Sequence, residues 1–337
     1  MEFINKNKKK LIVVLVLFIV CVAVFATPVL KDVFGYGGNN NGVFIEVAEG
    51  ETLKETAKKL ADNGIISHEK VFCMYAKGKA VDFKFGGHVF TTSMSYGEIC
   101  QQLSQAGTSR TVKLLVPEGY ELRLIAQACE EAGIVTAEEF MKSATEDKFD
   151  YDFLIKKDGV NYTLEGFLFP ATYEFNYGVS AHEVIDTMLK TFDNVYTDQY
   201  SARAKEMGMT DYDIVTLASV IEREAANTAE HKKVSGVFYN RIKDGMNLQS
   251  CATVQYILKE RKPVLTIKDT QIDSPYNTYK YAGLPAGPVA SPSKSAIEAA
   301  LYPESHDYYY FVAKSDGSGH VFSKTFNEHN KAVAENQ

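Results

Sequence analysis

The sequence predicts an α+β protein in three parts: a single N-terminal transmembrane helix, a small α/β module and a larger mixed α+β domain. Three observations carry this. A charge-free apolar run follows a cluster of lysines. Short strand-like runs alternate with segments of helical period that open on capping boxes. The 337 residues leave room for two folded units, at roughly 100–200 residues per typical domain. A hydrophobic content of 45% excludes a largely disordered chain.

Residues 1–10 carry Lys6, Lys8, Lys9 and Lys10 and read as a cytoplasmic tail. Residues 11–30 are apolar, interrupted only near their end by Thr27 and Pro28. Roughly 20 such residues span a bilayer as a helix. Lysines hold their end on the cytoplasmic side, so the body is expected outside. The rival reading is a cleaved signal peptide, with an apolar region of about 7–15 residues and an A-x-A-like site. Val24-Phe25-Ala26 is a poor match to such a site, and Val20 before Cys21 is too large for a lipoprotein signal. The expected arrangement is an uncleaved, single-pass anchor in the cell membrane. Residues 31–42 include the stretch FGYGGNNNG and read as a flexible linker.

Residues 43–107 form the small module. VFIEV reads as a strand, and Thr52 with Glu55 as a capping box. Leu53, Ala57 and Leu60 then repeat at helical spacing, and Gly64 stops the helix. A second helix is expected near residues 68–77 and a strand at 88–92. Ser95 and Glu98 repeat the capping pattern before Ile99 and Leu103. This order and size resemble a LysM-like module, a type that lies along glycan chains; many small α/β units share the pattern.

Residues 111–337 form the larger domain. TVKLLVPEGY reads as a strand ending in a Pro-Glu-Gly turn. Helices are expected at 122–132, 137–144, 181–195, 200–207, from 213 to about 227, and 231–243. LEGFLFPATYEF, between the second and third of these, is apolar and aromatic but carries Glu165 and Glu174. After Gly245 the chain turns rich in Pro, Gly, Tyr and Asn. YYYFVAK, SDGSG and HVFSKTF then read as strand, turn and strand.

A net charge of −7 without a basic stripe in the body speaks against nucleic acid as a partner. Cys21, Cys73, Cys100, Cys129 and Cys251 are odd in number and far apart, so they suggest neither a disulfide framework nor a zinc site. His306, His320 and His329 fit no zinc-ligand spacing, and no G-x-S-x-G turn supports a serine hydrolase. No cofactor is expected.

IVTLASVIEREAA is the most informative helix. Stepped at about 100° per residue, Ile214, Leu217, Ala218, Ile221 and Ala225 form a stripe. Arg223 falls opposite it. Glu222 lies at an edge that reaches water. Glu224 falls on the apolar side, between Leu217 and Val220. Desolvation there favours the protonated carboxyl, and a proton donor near neutral pH is what glycosidic cleavage requires. The plainer reading is a boundary glutamate whose head escapes to water or pairs with an arginine.

LASVIEREA, VFYNRIKDGMNLQS, YNTY, GLPAGPVASP and GHVFSKTFNEHN follow one another in this order, with VPEGY and EGFLFPATY upstream. Together these blocks resemble the endolytic murein transglycosylases, the YceG-like family, over nearly all of the chain beyond the apolar run. The resemblance makes Glu224 the catalytic residue, the second glutamate of an A-S-x-x-E-x-E segment. It implies cleavage between N-acetylmuramic acid and N-acetylglucosamine inside peptidoglycan strands, leaving 1,6-anhydro ends, in cell-wall assembly or remodelling. Expected partners are the glycan strands, peptidoglycan synthases of the elongation or division machinery, and the membrane. Tyr276, Asn277 and Tyr279 are the chosen groove residues, with Gln249, Thr253 and Glu165 as further substrate-binding candidates. Asn offers both a donor and an acceptor, and Tyr a ring face with a polar tip; a tyrosine-rich turn is the bland reading of YNTY. One position departs from the family: Cys251 stands where an aspartate usual to the family follows L-Q-[ST], a residue that would contact sugar, support Glu224 or only cap a helix. Two other functions remain open, a non-catalytic glycan-binding scaffold and a muramidase that uses water.

Overall fold

The computed structural model describes residues 26–38, 42–107, 111–176, 178–262 and 264–336. Most of the expected membrane span, 11–25, lies outside the described residues. Among the described residues no helix is long and apolar enough to cross a membrane. The chain is a mixed α+β protein with small sheets, three of two strands each among the described residues. It divides into two compact units between Thr111 and Val112.

In the first unit, β1 (Val43–Val47) pairs antiparallel with β2 (Gly86–Phe90). Helices α1 (Leu53–Asp62) and α2 (Glu69–Gly78) lie between them in sequence, and α3 (Tyr96–Leu103) follows. Both expected capping boxes are present: Thr52 with Glu55, and Ser95 with Glu98. Strand β2 begins two residues earlier than its sequence pattern suggests. Ile45, Leu60, Phe72, Phe90, Ile99 and Leu103 meet in one core.

Of the expected linker 31–42, residues 39–41 lie outside the described residues. Residues 26–34 are helical. Asp32 receives the Ser67 and His68 N–H groups at 2.9 Å each and the Tyr96 hydroxyl at 2.5 Å. Gly35 and Gly38 lie so close to the Ser93 and Thr92 backbones that no side chain fits. Two of the glycines read as freedom, Gly35 and Gly38, are close approaches, and an aspartate invisible to periodicity ties the segment to the module.

In the second unit, β3 (Thr111–Leu115) pairs with β4 (Thr172–Asn176). Helices α4 (Leu122–Glu131), α5 (Ala137–Glu146), α6 (Ala181–Val195) and α7 (Asp198–Glu206) precede the central α8 (Asp211–Glu224). After it come α9 (His231–Lys243), α10 (Cys251–Leu258), α11 (Ile267–Thr270) and α12 (Lys294–Leu301). The chain closes with β5 (Tyr310–Ala313), antiparallel to β6 (His320–Ser323), and α13 (Phe326–Asn336). Thr210 and Asp213 close a capping box at the start of α8, whose flanks pack on α7, α9, α10 and α12. Phe140, Phe167, Phe192, Tyr212, Leu217 and Phe238 belong to the core around it.

Candidate active site

Helix α8 has no solvent face over its middle, because every residue from Ile214 to Ile221 is buried. Its apolar stripe therefore understates how central it is. The helix stops at Glu224, about three residues short of the expected end, because Ala225 is extended (φ −72°, ψ 137°).

The last turn meets a partner in each direction, which corrects the expectation for Arg223 and adds a partner to Glu222, which is half-buried beside an open pocket. Arg223, expected on the open side, has a side chain only 5% exposed. Its Nη1 donates to Glu121 Oε1 at 3.3 Å and its Nη2 to Gln255 Oε1 at 3.2 Å. Glu222, expected near water, receives the Ser293 N–H at 2.9 Å and the Ser293 hydroxyl at 2.5 Å, at the start of α12. Wheel angles see a helix alone; here α4, α10 and α12 surround its end.

Glu224 is half-buried. Ser250 holds the N-cap position of α10 but makes no side-chain bond to that helix. Its hydroxyl donates to Glu224 Oε1 at 2.5 Å, and the Ala252 N–H donates to the same oxygen at 2.9 Å. Glu224 thus caps α10 in place of Ser250. A helix N-terminus with its unpaired N–H groups favours a carboxylate. Among the described residues Oε2 accepts no protein hydrogen bond.

Ser250 is itself fixed. Its N–H donates to Thr278 Oγ1 at 3.0 Å. Thr253 Oγ1 donates to the Ser250 carbonyl at 2.8 Å and lies 2.9 Å from Thr278 Oγ1. Gln249, just before, has a left-handed backbone (φ 49°), with its N–H on the Thr278 carbonyl at 3.0 Å. Such a conformation costs a non-glycine residue about 1–3 kcal/mol and persists where surrounding contacts enforce it.

A cavity of about 470 Å³ opens over Glu224. Gln249, Cys251 and Tyr279 line it, as do Arg241 and Leu248. The rest of the wall comes from β5, His320 and the α13 residues Phe326, His329 and Val333. Cys251 is the first residue of α10, and its Sγ lies 3.1 Å from the Tyr279 hydroxyl. Burial pushes the Cys251 thiol up, and the Glu224 charge adds to the push.

Of the residues chosen from sequence, Glu224, Gln249 and Tyr279 share this cleft. The other four are not among its lining. Thr253 is buried and works on Ser250. Asn277 is fully buried: its Nδ2 donates to the Thr270 and Ile272 carbonyls at 3.0 and 2.7 Å, and its Oδ1 accepts the Tyr279 N–H at 2.9 Å. Its donors and acceptor shape their own loop and leave nothing for a sugar. Tyr276 is buried against Tyr256, centroids 4.9 Å apart, and its hydroxyl accepts the Asn161 N–H at 3.3 Å. Glu165 is 2% exposed, accepts the Leu122 N–H at 2.9 Å and meets the Tyr256 hydroxyl at 3.1 Å. Burial pushes its carboxyl up to about 8.

Sequence reasoning missed Ser250, Arg241 and the wall made by β5, β6 and α13. The signal for Ser250 was present in L-Q-S. The sequence places no helix of its own in the Pro-, Gly-, Tyr- and Asn-rich stretch after Gly245, so α10 and the helix start that holds the carboxylate stay unassigned there.

The family model described as "YceG-like family" matches residues 45–335. The endolytic murein transglycosylase of Bacillus subtilis is 36% identical over 317 residues, 90% of this chain and 86% of that protein. The protein of the same name from Streptococcus pneumoniae is 33% identical, covering 87% of this chain but 58% of its own longer one. A crystal structure of a yceG-like protein from Listeria monocytogenes matches with a TM-score of 0.60 at 32% identity, over 87% of this chain and 99% of that one. With the family's pattern running through both units and its sequence motif leading to a carboxylate set in a cleft, the chain belongs to the YceG-like family.

Proposed function

We propose that this chain is an endolytic peptidoglycan transglycosylase, a lyase that cuts the bond between N-acetylmuramic acid and N-acetylglucosamine within glycan strands. The observation that carries the reading is the unequal setting of the two Glu224 oxygens. Oε1 is fixed by Ser250 and Ala252, while Oε2 has no protein partner among the described residues. A carboxyl held by one oxygen keeps its orientation while the other gives and takes a proton.

In this reading Oε2 delivers a proton to the glycosidic oxygen as its bond to C1 breaks. The C6 hydroxyl of the muramoyl residue then bonds to C1, and its proton returns to Glu224. A 1,6-anhydro end forms, no water is consumed, and the single acid/base is reset. Phe311 and Phe326 offer apolar surface in the cleft, which supports closure on C1 over attack by water. Tyr279 and Gln249 supply a ring face, a hydroxyl and an amide to the sugars.

Two finer features belong to the same proposal. The lysine cluster and apolar run at 11–30 support a single-pass anchor with the body outside the cell membrane, beside the synthases of the growing wall. The strand–helix–helix–strand order of residues 43–90 supports a LysM-like module that holds glycan.

Mass spectrometry of digested peptidoglycan tests the chemistry. Products lighter by one water than hydrolytic fragments are expected. Reducing ends would replace the reading with a muramidase, and intact strands with a scaffold. For the anchor, protease added outside spheroplasts stripped of any outer membrane should degrade the body; protection would contradict it.

A further inference from the structure

Among the described residues Arg241 is a buried cation with no carboxylate in ion-pair contact, although the Glu224 charge acts on it from a longer distance. It is 7% exposed. Nε donates to the Tyr309 carbonyl at 2.7 Å, and Nη1 to the Leu248 and Asn247 carbonyls at 2.7 and 3.4 Å. All three acceptors are neutral backbone groups. Among the described residues Nη2 makes no protein hydrogen bond, yet it is not one of the fully buried unsatisfied atoms. Arg241 lines the cleft of Glu224, and Nη2 is the guanidinium nitrogen that no protein acceptor holds among the described residues. Buried charges are ordinarily paired. Arg223, the comparable arginine at the end of α8, is paired with Glu121.

A second observation lies beside it. His329 Nδ1 is buried and has no hydrogen-bond partner, and His329 lines the same cleft. Its ring stacks on Tyr310, centroids 5.3 Å apart, and the Arg241 guanidinium carbon lies 5.2 Å from the same ring. Burial and the Arg241 charge hold His329 below the usual histidine range. The ring is then neutral near pH 7, and one tautomer presents Nδ1–H as a donor. His320, also in the lining, is different: its Nδ1 is already on Glu230 at 2.7 Å. Glu224 is the one carboxylate among the lining residues, and no ion pair within 4 Å joins it to Arg241.

We infer that the Arg241 guanidinium edge and the His329 ring beside it form a subsite that takes a carboxylate of the substrate strand, with the buried His329 Nδ1 brought within reach by a turn of its ring. The inference rests on the peptidoglycan reading above. That polymer offers two sources of this group: the lactyl carboxylate of a muramoyl residue stripped of its stem peptide, and the carboxylates of the stem peptide itself. The guanidinium edge suits either, since a charge-assisted N–H bond to a carboxylate is stronger than a neutral one.

The test is strand binding, read as Kd with the full chain, so that it does not depend on cleavage. Two pairs of labelled strands are compared: peptide-free strands with lactyl carboxylates free or converted to methylamides, and peptide-bearing strands with stem carboxylates free or amidated. We expect amidation to weaken binding on the order of tenfold in at least one pair. The affected pair names the source. Arg241→Gln should bring that ratio close to one. His329→Phe, which keeps a ring against Tyr310 and removes both nitrogens, should lower it. If Arg241→Gln does not fold, His329→Phe alone decides. Equal affinities within both pairs, or an unaltered ratio in His329→Phe, would overturn the subsite. Anhydro ends scored separately on the same strands report on the underlying reading, so the two fail independently.

Discussion

Ser250 gives its hydroxyl to Glu224 Oε1 at 2.5 Å instead of to the helix it precedes, and Glu224 takes over the cap of that helix through the Ala252 N–H. The exchange couples a carboxylate at the end of α8 to the start of α10. It sets the position of Oε1 from two independent directions.

Ser250→Ala removes the hydroxyl and keeps the backbone bond to Thr278. A hydrogen bond to a charged group contributes about 1.5–3 kcal/mol. The expected result is a fall in kcat/KM of roughly 10- to 100-fold, with a melting temperature lowered by several degrees and the fold intact. Steady-state cleavage of labelled strands beside a thermal melt decides it. An unchanged rate would show that Ala252 alone orients Glu224.

The ion pair of Arg223 and Glu121 is buried, at 5% and 2% side-chain exposure. Glu121 also accepts from Arg123 Nε at 2.7 Å, so it keeps a cation when Arg223 is lost, whereas Arg223 is left without a carboxylate when Glu121 is lost. Stranding a buried charge costs about 3–5 kcal/mol, so Glu121→Gln should lower unfolding stability strongly, and adding Arg223→Met should recover part of the loss. Denaturant titrations of the single and double variants measure this. A double variant less stable than Glu121→Gln would contradict the account.

Glu165 gives a pH signature. Its folded carboxyl titrates at about 8, against 4.5 for a free glutamate, so the folded chain holds a proton that the unfolded chain has released. The stability associated with that proton is fully present below about pH 4.5 and is lost as pH rises towards 8. Glu165→Gln cannot release it. The melting temperature of the variant relative to the parent should climb from pH 5 to pH 8.5. A flat or falling difference would mean that Glu165 is charged in the folded protein.

Much of this arrangement was legible in the residues, and the remainder has physical reasons for being hidden. Thr52 with Glu55 and Thr210 with Asp213 carry their helix starts in local hydrogen bonds; the first was readable from spacing alone. Helices α6 and α9 show their bounds in periodicity. Helix α10 opens on Ser250, whose hydroxyl is used elsewhere, so the local capping signal misleads. The order Tyr276, Asn277, Tyr279 looks like a sugar platform, yet the backbone turns so that Asn277 binds its own loop and Tyr279 alone reaches the cleft. The orientation of a turn depends on contacts far apart in sequence, such as Asn161 on Tyr276, and no local pattern encodes it.

Cys251 is the first residue of α10, in the cleft, with its sulfur 3.1 Å from the Tyr279 hydroxyl. A carboxylate suits a helix N-terminus, and Tyr279 is placed to donate to it. Cys251→Asp should keep or raise the peak cleavage rate. Like-charge repulsion with Glu224 should move the alkaline limb of the pH–rate profile upward. A large drop in peak rate at unchanged melting temperature would show that the thiol itself belongs to the working site.

Glu224→Gln tests the central claim most directly. The amide keeps the shape and an oxygen for Ser250 and Ala252, and removes the transferable proton. Purified Glu224→Gln protein with a parental melting temperature should release no 1,6-anhydro ends from peptidoglycan, as read by mass spectrometry, while the parent releases them. Anhydro ends formed by the folded variant at a rate near that of the parent would contradict the account.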